Sequence, residues 1–304
     1  MICIIRMVSI VKERGFYYLK HHIQNKERRK YLGKTIPKDI EQHKREFLRQ
    51  FYCQEWDDTI QSIGKNYQKT IKKIPQSIQL KNFESFGIAF TYNTQRIEGS
   101  TLTESDTRDL LTFGVTPAKK SQIDTIETKK HYELFMRLIT SKKRSKLTKK
   151  IVLQWHKEIF DQTKIGEAGN IRSYIVGVIT NEKIEFAAVA EIPKKLAEFF
   201  RWLNKHDDDK NEKKNVVEFA CMAHYKFVSI HPFGDGNGRI SRLIMNYILL
   251  KNNFPLMLIK NIDKRAYFKS LEKSQLNHDE IHFLKWFMKY YIKENKQYLT
   301  NLNS

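Results

Sequence analysis

The sequence predicts a mainly α-helical fold with two small β-hairpins, one near the N-terminus and one in the middle of the chain. Three observations carry this. From Asp39 onward apolar residues recur every three or four positions over long segments, the spacing that gives a helix one buried face. Only residues 15–36 and 171–186 break that period, with alternating or β-branched patterns. A chain of 304 residues with 40% hydrophobic and 12% aromatic content can bury a sizeable core in one or two domains.

Taken in order, GFYYLKHHIQNKERRKYLGKTI at 15–36 alternates aromatic or aliphatic with polar residues on either side of a polar QNKE stretch, and reads as an appended hairpin. A charged helix follows from Asp39 to about Ile63, and another near Phe83–Ile97. Thr103-x-x-Asp106 marks the start of a short helix over Ser105–Leu111. Thr128–Thr140 turns Tyr132, Leu134, Phe135 and Leu138 toward the core, and Leu147–Phe160 repeats the pattern. In IRSYIVGVITNEKIEF, residues 171–186, β-branched residues flank an Asn181-Glu182 turn, which predicts the second hairpin, at about Ser173–Phe186. Pro193 opens a helix to about Leu203 at the first-turn position where proline is tolerated. HDDDKNEKK at 206–214 is a loop, and Val217, Ala220, Cys221, His224 and Val228 then mark the buried face of a helix that runs into His231. Helices at about Asn237–Lys251, Lys264–Ser274 and His278–Lys296 complete the chain, with no internal repeat and no linker rich in Gly, Pro or Ser.

Composition narrows the function classes. No apolar run reaches the roughly 18 residues of a membrane span, and the start MICII is too short and too soon charged to be a signal peptide, so a cytoplasmic protein with no membrane partner is expected. Cys3, Cys53 and Cys221 are widely spaced and supply neither a disulfide framework nor a zinc site; Cys221 reads as a buried thiol. The net charge of +21 suits nucleic acid, an anionic membrane surface or phosphorylated ligands without choosing among them. Residues 1–50 hold 13 Lys and Arg against 5 Asp and Glu, so a nucleic-acid-facing patch and a merely solvating surface both stand.

The densest signal is HPFGDGNGRISR, residues 231–242, set between two strongly helical segments. Gly234, Gly236 and Gly238 let backbone N–H groups turn inward as an anion nest, and the helix beginning near Asn237 adds its positive end. Arg239 and Arg242, three apart, project from nearly the same face, which suits a polyphosphate. Asp235 can hold Mg²⁺ against such a ligand, and His231, just before the turn, is placed as a general base. A glycine-rich helix start capped by Asp or Asn has the same look, so spacing by itself leaves both readings open. The loop is not a Walker A, because no Lys-Ser/Thr follows the glycines, and the preceding helix excludes a Rossmann fingerprint.

The spacing HPFx[D/E]GNGRxxR is filled at every defined position, and the segment resembles the signature of the Fic (Fido-domain) family. The likeness extends to Ile230 and to RLIMNYILL at 242–250, and in all covers about residues 85–290. It implies a Fic/Fido helical bundle with the second hairpin as a flap and a catalytic domain over 146–296, preceded by an N-terminal helical region over 39–145 with the inhibitory helix; the residue pattern itself sets off the N-terminal hairpin appendage over 1–38. It also implies protein adenylyltransferase activity, with His231 taking the proton from a target hydroxyl that attacks the α-phosphate of ATP. Asp235 would hold Mg²⁺, the amides around Gly236 and Asn237 would cradle phosphates, and Arg239 and Arg242 would bind the β- and γ-phosphates. Gly234 is at a variable position, and Phe233 would pack inward to orient the loop. The loop lacks the glycine-poor ending of the phosphate-transferring branch, which favours AMP transfer. The flap, at about 173–186, would align a target protein beside His231 by strand pairing, and Asn277 is a weaker candidate for adenine contact or a helix-opening residue.

Upstream, FTYNTQRIEGSTLT at 90–103 reads as a helix ending at Gly99. Thr94-x-x-x-Glu98-Gly99 also resembles the family's [S/T]xxxE[G/N] inhibitory motif, in the branch whose inhibitory helix, here about 83–99, precedes the catalytic loop. Ser100 departs from the Asn that many relatives carry. A Glu98 carboxylate reaching Arg242 would occupy the guanidinium meant for the γ-phosphate. The sequence leaves open AMP removal by the same site, a toxin-like effector, a homodimer that tunes the brake, and a basic nucleic-acid-binding regulator.

Overall fold

A computed structural model describes residues 8–23, 26–141, 144–177, 184–208 and 215–299. The chain divides into two compact units, Met1–Asp58 and Thr59–Ser304, the second containing most of 39–145 and all of 146–296.

In the first unit, β1 (Ser9–Glu13), β2 (Phe16–Ile23) and β3 (Lys26–Gly33) form an antiparallel sheet in the order β1-β2-β3. The predicted hairpin over 15–36 is thus two strands of three. The missed strand is joined through Arg14 and Gly15, both left-handed at φ 49° and 85°, a two-residue link whose usual mark is Asn-Gly or Asp-Gly. Leu19 and His21 are buried on one face, where the His21 ring lies 6.3 Å from that of Tyr52; Tyr18 and Tyr31 meet edge-on at 5.4 Å on the other.

The helix α1 (Ile40–Lys73) continues ten residues past its predicted end. Gly64 lies inside it because a Cβ there would stand 2.7 Å from Phe254 Cζ, so the glycine answers a close contact and stops nothing. The helix ends before Pro75, and α2 (Gln76–Ile97) begins straight after it, earlier than predicted. α3 (Glu104–Phe113) opens with the Thr103–Asp106 capping box, and Ser121 and Thr148 cap α4 (Gln122–Thr140) and α5 (Lys149–Phe160). α6 (Ile192–Asp208) absorbs residues 206–208 of the predicted loop, whose remainder lies outside the described residues. α7 (Val216–Ile230), α8 (Asn237–Lys251), α9 (Lys264–Leu276) and α10 (Ile281–Glu294) follow.

Two adjacent helices, α7 and α8, form the core. Val217, Ala220, Cys221, His224 and Phe227 of α7 are fully buried, as are Ile240, Ile244, Met245 and Leu249 of α8. α2 packs on α4, α4 on α5, and α10 on α7 and α9. A helix apolar on nearly every side must sit centrally, so the loop joining α7 to α8 emerges from the best-packed part of the unit. The second hairpin differs from expectation. Residues 178–183 lie outside the described residues, and the flanks 173–177 and 184–186 carry no strand pairing. Asn277 closes α9, bonding back to the Lys273 carbonyl at 2.8 Å, so it ends a helix instead of opening one. Among the described residues no helix is long and apolar enough to cross a membrane.

Candidate functional site

The α7–α8 loop is shaped by backbone demands that its sequence meets. His231 ends α7 at φ 52°, a left-handed conformation that breaks the helix and turns the chain. Asn237 then folds back: its Oδ1 accepts from the Phe233 N–H at 3.0 Å and its Nδ2 donates to the Phe233 carbonyl at 2.8 Å. With Asn237 so engaged and Gly236 as N-cap at φ 80°, no side chain caps α8, whereas Thr103, Ser121, Thr148 and Asn215 cap α3, α4, α5 and α7. An uncapped helix start keeps its N–H groups for an anion.

The glycines meet different needs. At 236 both the positive φ and the Phe160 ring, 2.4 Å from a would-be Cβ, exclude a side chain. At 238 a Cβ would stand 2.2 Å from Glu98 Oε1, and at 234 it would stand 2.0 Å from the Tyr174 hydroxyl.

Two histidines frame the loop. His231 Nδ1 lies 3.2 Å from the Val228 carbonyl, which can only accept, so Nδ1 carries the proton and Nε2 the lone pair. Burial pushes its pKa down to about 4, and the Phe186 ring stacks on it at 3.8 Å, so it is neutral at pH 7. His156, on α5, accepts from the Gly169 N–H at Nδ1 (2.8 Å) and donates from Nε2 to the Asp235 carbonyl (3.0 Å). It stacks on Phe233 at 3.8 Å, and burial brings its pKa to about 4.

Charged groups gather around the α8 start. Burial disfavours the Asp235 carboxylate, but Arg239 (3.1 Å) and Lys164 (2.9 Å) hold its pKa down at about 2, and Oδ1 accepts from the Gly236 N–H. Arg239 is buried, lies 4.4 Å over the Phe160 ring, and also pairs with Glu127 and Gln95. Arg242, fully buried, donates from Nη2 to Glu98 Oε1 at 2.5 Å and to the Thr94 carbonyl at 3.3 Å, and from Nη1 to the Tyr267 hydroxyl at 3.4 Å. Burial works against its charge, but Glu98 raises its pKa above the ordinary value. Gly99 follows at φ 103°, so the end of α2 delivers Glu98 to the loop.

The structure therefore brings together His231, Gly234, Asp235, Gly236, Asn237, Gly238, Arg239 and Arg242 with Thr94, Glu98 and Gly99. Sequence reasoning missed His156, Glu127 and Lys164, and gave Arg172 no role. Arg172 donates to the carbonyls of His231 (2.8 Å), Tyr174 (2.8 Å) and Ala187 (2.6 Å), tying the flap's two flanks to the loop without a β-ladder. The segment AGNIR, residues 168–172, was its available signal; Glu127 fell one residue before the predicted start of α4, and Lys164 left no pattern.

Comparison with known proteins bears on the domain and the fold. Residues 146–249 match the model of the Fic/DOC family. The chain is 30% identical over 210 residues to a protein adenylyltransferase fic-1 of Caenorhabditis briggsae, covering 68% of this chain and 39% of that one. It is 32% identical over 192 residues to a protein adenylyltransferase Fic of Nematostella vectensis, covering 62% and 43%. It thus spans about two-fifths of the length of these curated relatives. A crystal structure of a Fic-domain signalling protein from Bacteroides thetaiotaomicron superposes with a TM-score of 0.69 at 27% identity, covering 79% of this chain and 96% of that one. The signature loop and the superposed helical fold agree with the family match, and residues 146–249 of this chain are a Fic/DOC-family domain.

Proposed function

We propose that this chain transfers AMP from ATP to a hydroxyl side chain of a target protein, and that Glu98 restrains the transfer. One observation carries the reading: a neutral histidine with a free Nε2 lone pair, His231, directly precedes an uncapped helix start flanked by two buried arginines. In the reaction, Nε2 takes the hydroxyl proton while the hydroxyl oxygen bonds to the α-phosphorus. The bond from that phosphorus to the β-bridging oxygen breaks, and pyrophosphate leaves. The α8 start faces the charge that builds on the phosphates. Arg242, once released from Glu98, takes the γ-phosphate. Arg239, bound to Glu127 and Gln95, holds Asp235 and offers the second guanidinium to the β-phosphate. Both arginines keep a buried Nε–H without a partner, unmet donors that a polyphosphate would suit.

Asp235 fits Mg²⁺: its carboxylate is ionised, partly exposed and single, as Mg²⁺ prefers beside phosphate oxygens. Bound there, the ion would offset phosphate charge. The flap region at 173–186 serves as target dock in this reading, supported by the exposure of Ile165 and Ile175 and by Arg172 holding its base to His231. The appendage (1–38), the helical region with the inhibitory helix (39–145) and the catalytic domain (146–296) are its functional divisions. In this reading the protein works in the cytoplasm.

The test is incubation of wild type, Glu98→Gly and His231→Ala with α-labelled or γ-labelled ATP and a cell lysate. AMP transfer predicts α-label on protein, stronger for Glu98→Gly and lost by about 10²–10⁴ in His231→Ala, the range for removing a general base. γ-Label without α-label would refute AMP transfer.

A further inference from the structure

The Asp235 carboxylate has a companion that the adenylyltransfer reading does not use. The turn after α5 fixes the Lys164 backbone at both ends: its N–H donates to the Phe160 carbonyl at 2.8 Å, and its carbonyl accepts from Glu167 (3.1 Å) and Ala168 (3.0 Å). The Thr163 hydroxyl donates to Glu127 at 2.8 Å, tying the same turn to the partner of Arg239. From there Lys164 crosses the Phe160 ring, 6.0 Å from its centroid, and Nζ reaches Asp235 Oδ2 at 2.9 Å.

Asp235 Oδ2 therefore meets two cations of unequal mobility. Arg239 is 4% exposed and bonded to Glu127 and Gln95 as well, while Lys164 is 26% exposed and, among the described residues, makes this one ion pair. A divalent ion arriving at this carboxylate can displace Lys164 into water, whereas Arg239 is buried and held in place by Glu127 and Gln95 whatever binds Asp235. The two positive groups also repel each other across one carboxylate oxygen.

We propose that Lys164 is a specificity-determining residue for the divalent cation: its ammonium stands on Asp235 where the cation would bind, so each excludes the other. This rests on the reading of the loop as an ATP site. Lys164 lowers the advantage of Mg·ATP over free ATP in two ways of the same sign. It must be displaced when metal binds, and when metal is absent it neutralises Asp235, which would otherwise repel the phosphates.

The test is calorimetric titration of ATP, in EDTA and in excess Mg²⁺, into the full chain carrying Glu98→Gly, so that Arg242 is unpaired. The quantity read is the ratio of the two Kd values, a binding measure independent of transfer. Lys164→Gln should raise the preference for Mg·ATP by about twofold to fivefold, the range for a partly exposed ion pair, while Lys164→Arg keeps the starting ratio. Asp235→Asn should bring the ratio toward one. An unchanged ratio in Lys164→Gln, with Asp235→Asn still collapsing it, overturns the proposal and leaves the ATP site standing. No ATP binding, or a ratio near one in every variant, overturns both.

Discussion

Glu98 Oε1 lies 2.5 Å from Arg242 Nη2 and 2.2 Å from the place a Cβ on Gly238 would occupy. The carboxylate thus rests on the bare backbone of the first turn of α8 while pairing with a guanidinium one turn further on. In the proposed reading this carboxylate would compete with an incoming phosphate by charge and by volume.

Removing that carboxylate has two opposed consequences. Arg242 is fully buried, and loss of its anionic partner leaves an uncompensated charge, worth about 3–5 kcal/mol when both partners are buried. Glu98 retains 24% side-chain exposure, so Glu98→Gly should cost about 1–3 kcal/mol, read as a lowered Tm. ATP should restore part of that loss in Glu98→Gly, because it binds only the folded form, and AMP transfer should rise about tenfold. A variant with unchanged Tm and unchanged self-modification would show that the pair restrains nothing.

His156 is the second load on the loop. Its ring joins the Gly169 N–H to the Asp235 carbonyl, and both partners are backbone groups of fixed polarity, so only the neutral Nε2–H tautomer serves. His156→Leu keeps the apolar contact with Phe233 but leaves two part-buried polar groups unmet, each costing about 1 kcal/mol, the low end of the range for buried groups. Weaker ATP binding and a lower Tm are expected together, with His156→Gln recovering part of both. Wild-type ATP affinity in a folded His156→Leu would contradict a positioning role.

Much of this site was legible because short-range patterns carry it. The helix α8 was predicted over its observed span, and the Thr103–Asp106 box fixed the start of α3. Glu98 and Arg242 were paired through two motifs recognised separately. What escaped were residues whose role depends on a distant partner. His156 sits on an apolar helix face and reads as core, and its bond to Asp235 spans 79 positions. Arg172 bonds the carbonyls of His231 and Ala187, which are remote in sequence, and the contact that Gly64 answers is with Phe254, equally remote. Strand β1 was lost to a turn containing Arg where Asn or Asp is the usual signal.

Acid should unfold this protein early. Burial holds His131 and His224 at about 3 and His156 and His231 at about 4, against an ordinary value of 6.5. Below pH 6.5 the unfolded chain takes up protons that the native state refuses, so stability is intact above that pH and falls as pH drops toward 4. Each group contributes at most about 1.4 kcal/mol per pH unit within its window. Thermal melts at pH 7.5, 6 and 5 should show a Tm that declines progressively, and His131→Phe or His224→Phe should flatten the decline. A Tm flat from pH 7.5 to 5 would mean these rings are charged or exposed in the native protein.

Gly238 offers a separate measure of how firmly Glu98 is seated. Its φ is not left-handed, so Gly238→Ala strains no backbone dihedral, and the obstacle is the Glu98 carboxylate, with Arg242 Nη1 further off at 3.1 Å. In wild type the added methyl must push the carboxylate away from Arg242 or be accommodated by strain, an overpacking cost of about 1–3 kcal/mol. In Glu98→Gly the nearest obstacle is gone, and the same substitution should cost little. The two changes should therefore couple in a double-mutant cycle of chemical denaturation, the pair together destabilising less than their sum by about 1 kcal/mol or more. ATP should weaken that coupling if it draws Glu98 off the helix start as it binds. Additive effects would place the carboxylate elsewhere than against Gly238, and with it the proposed competition for the α8 start.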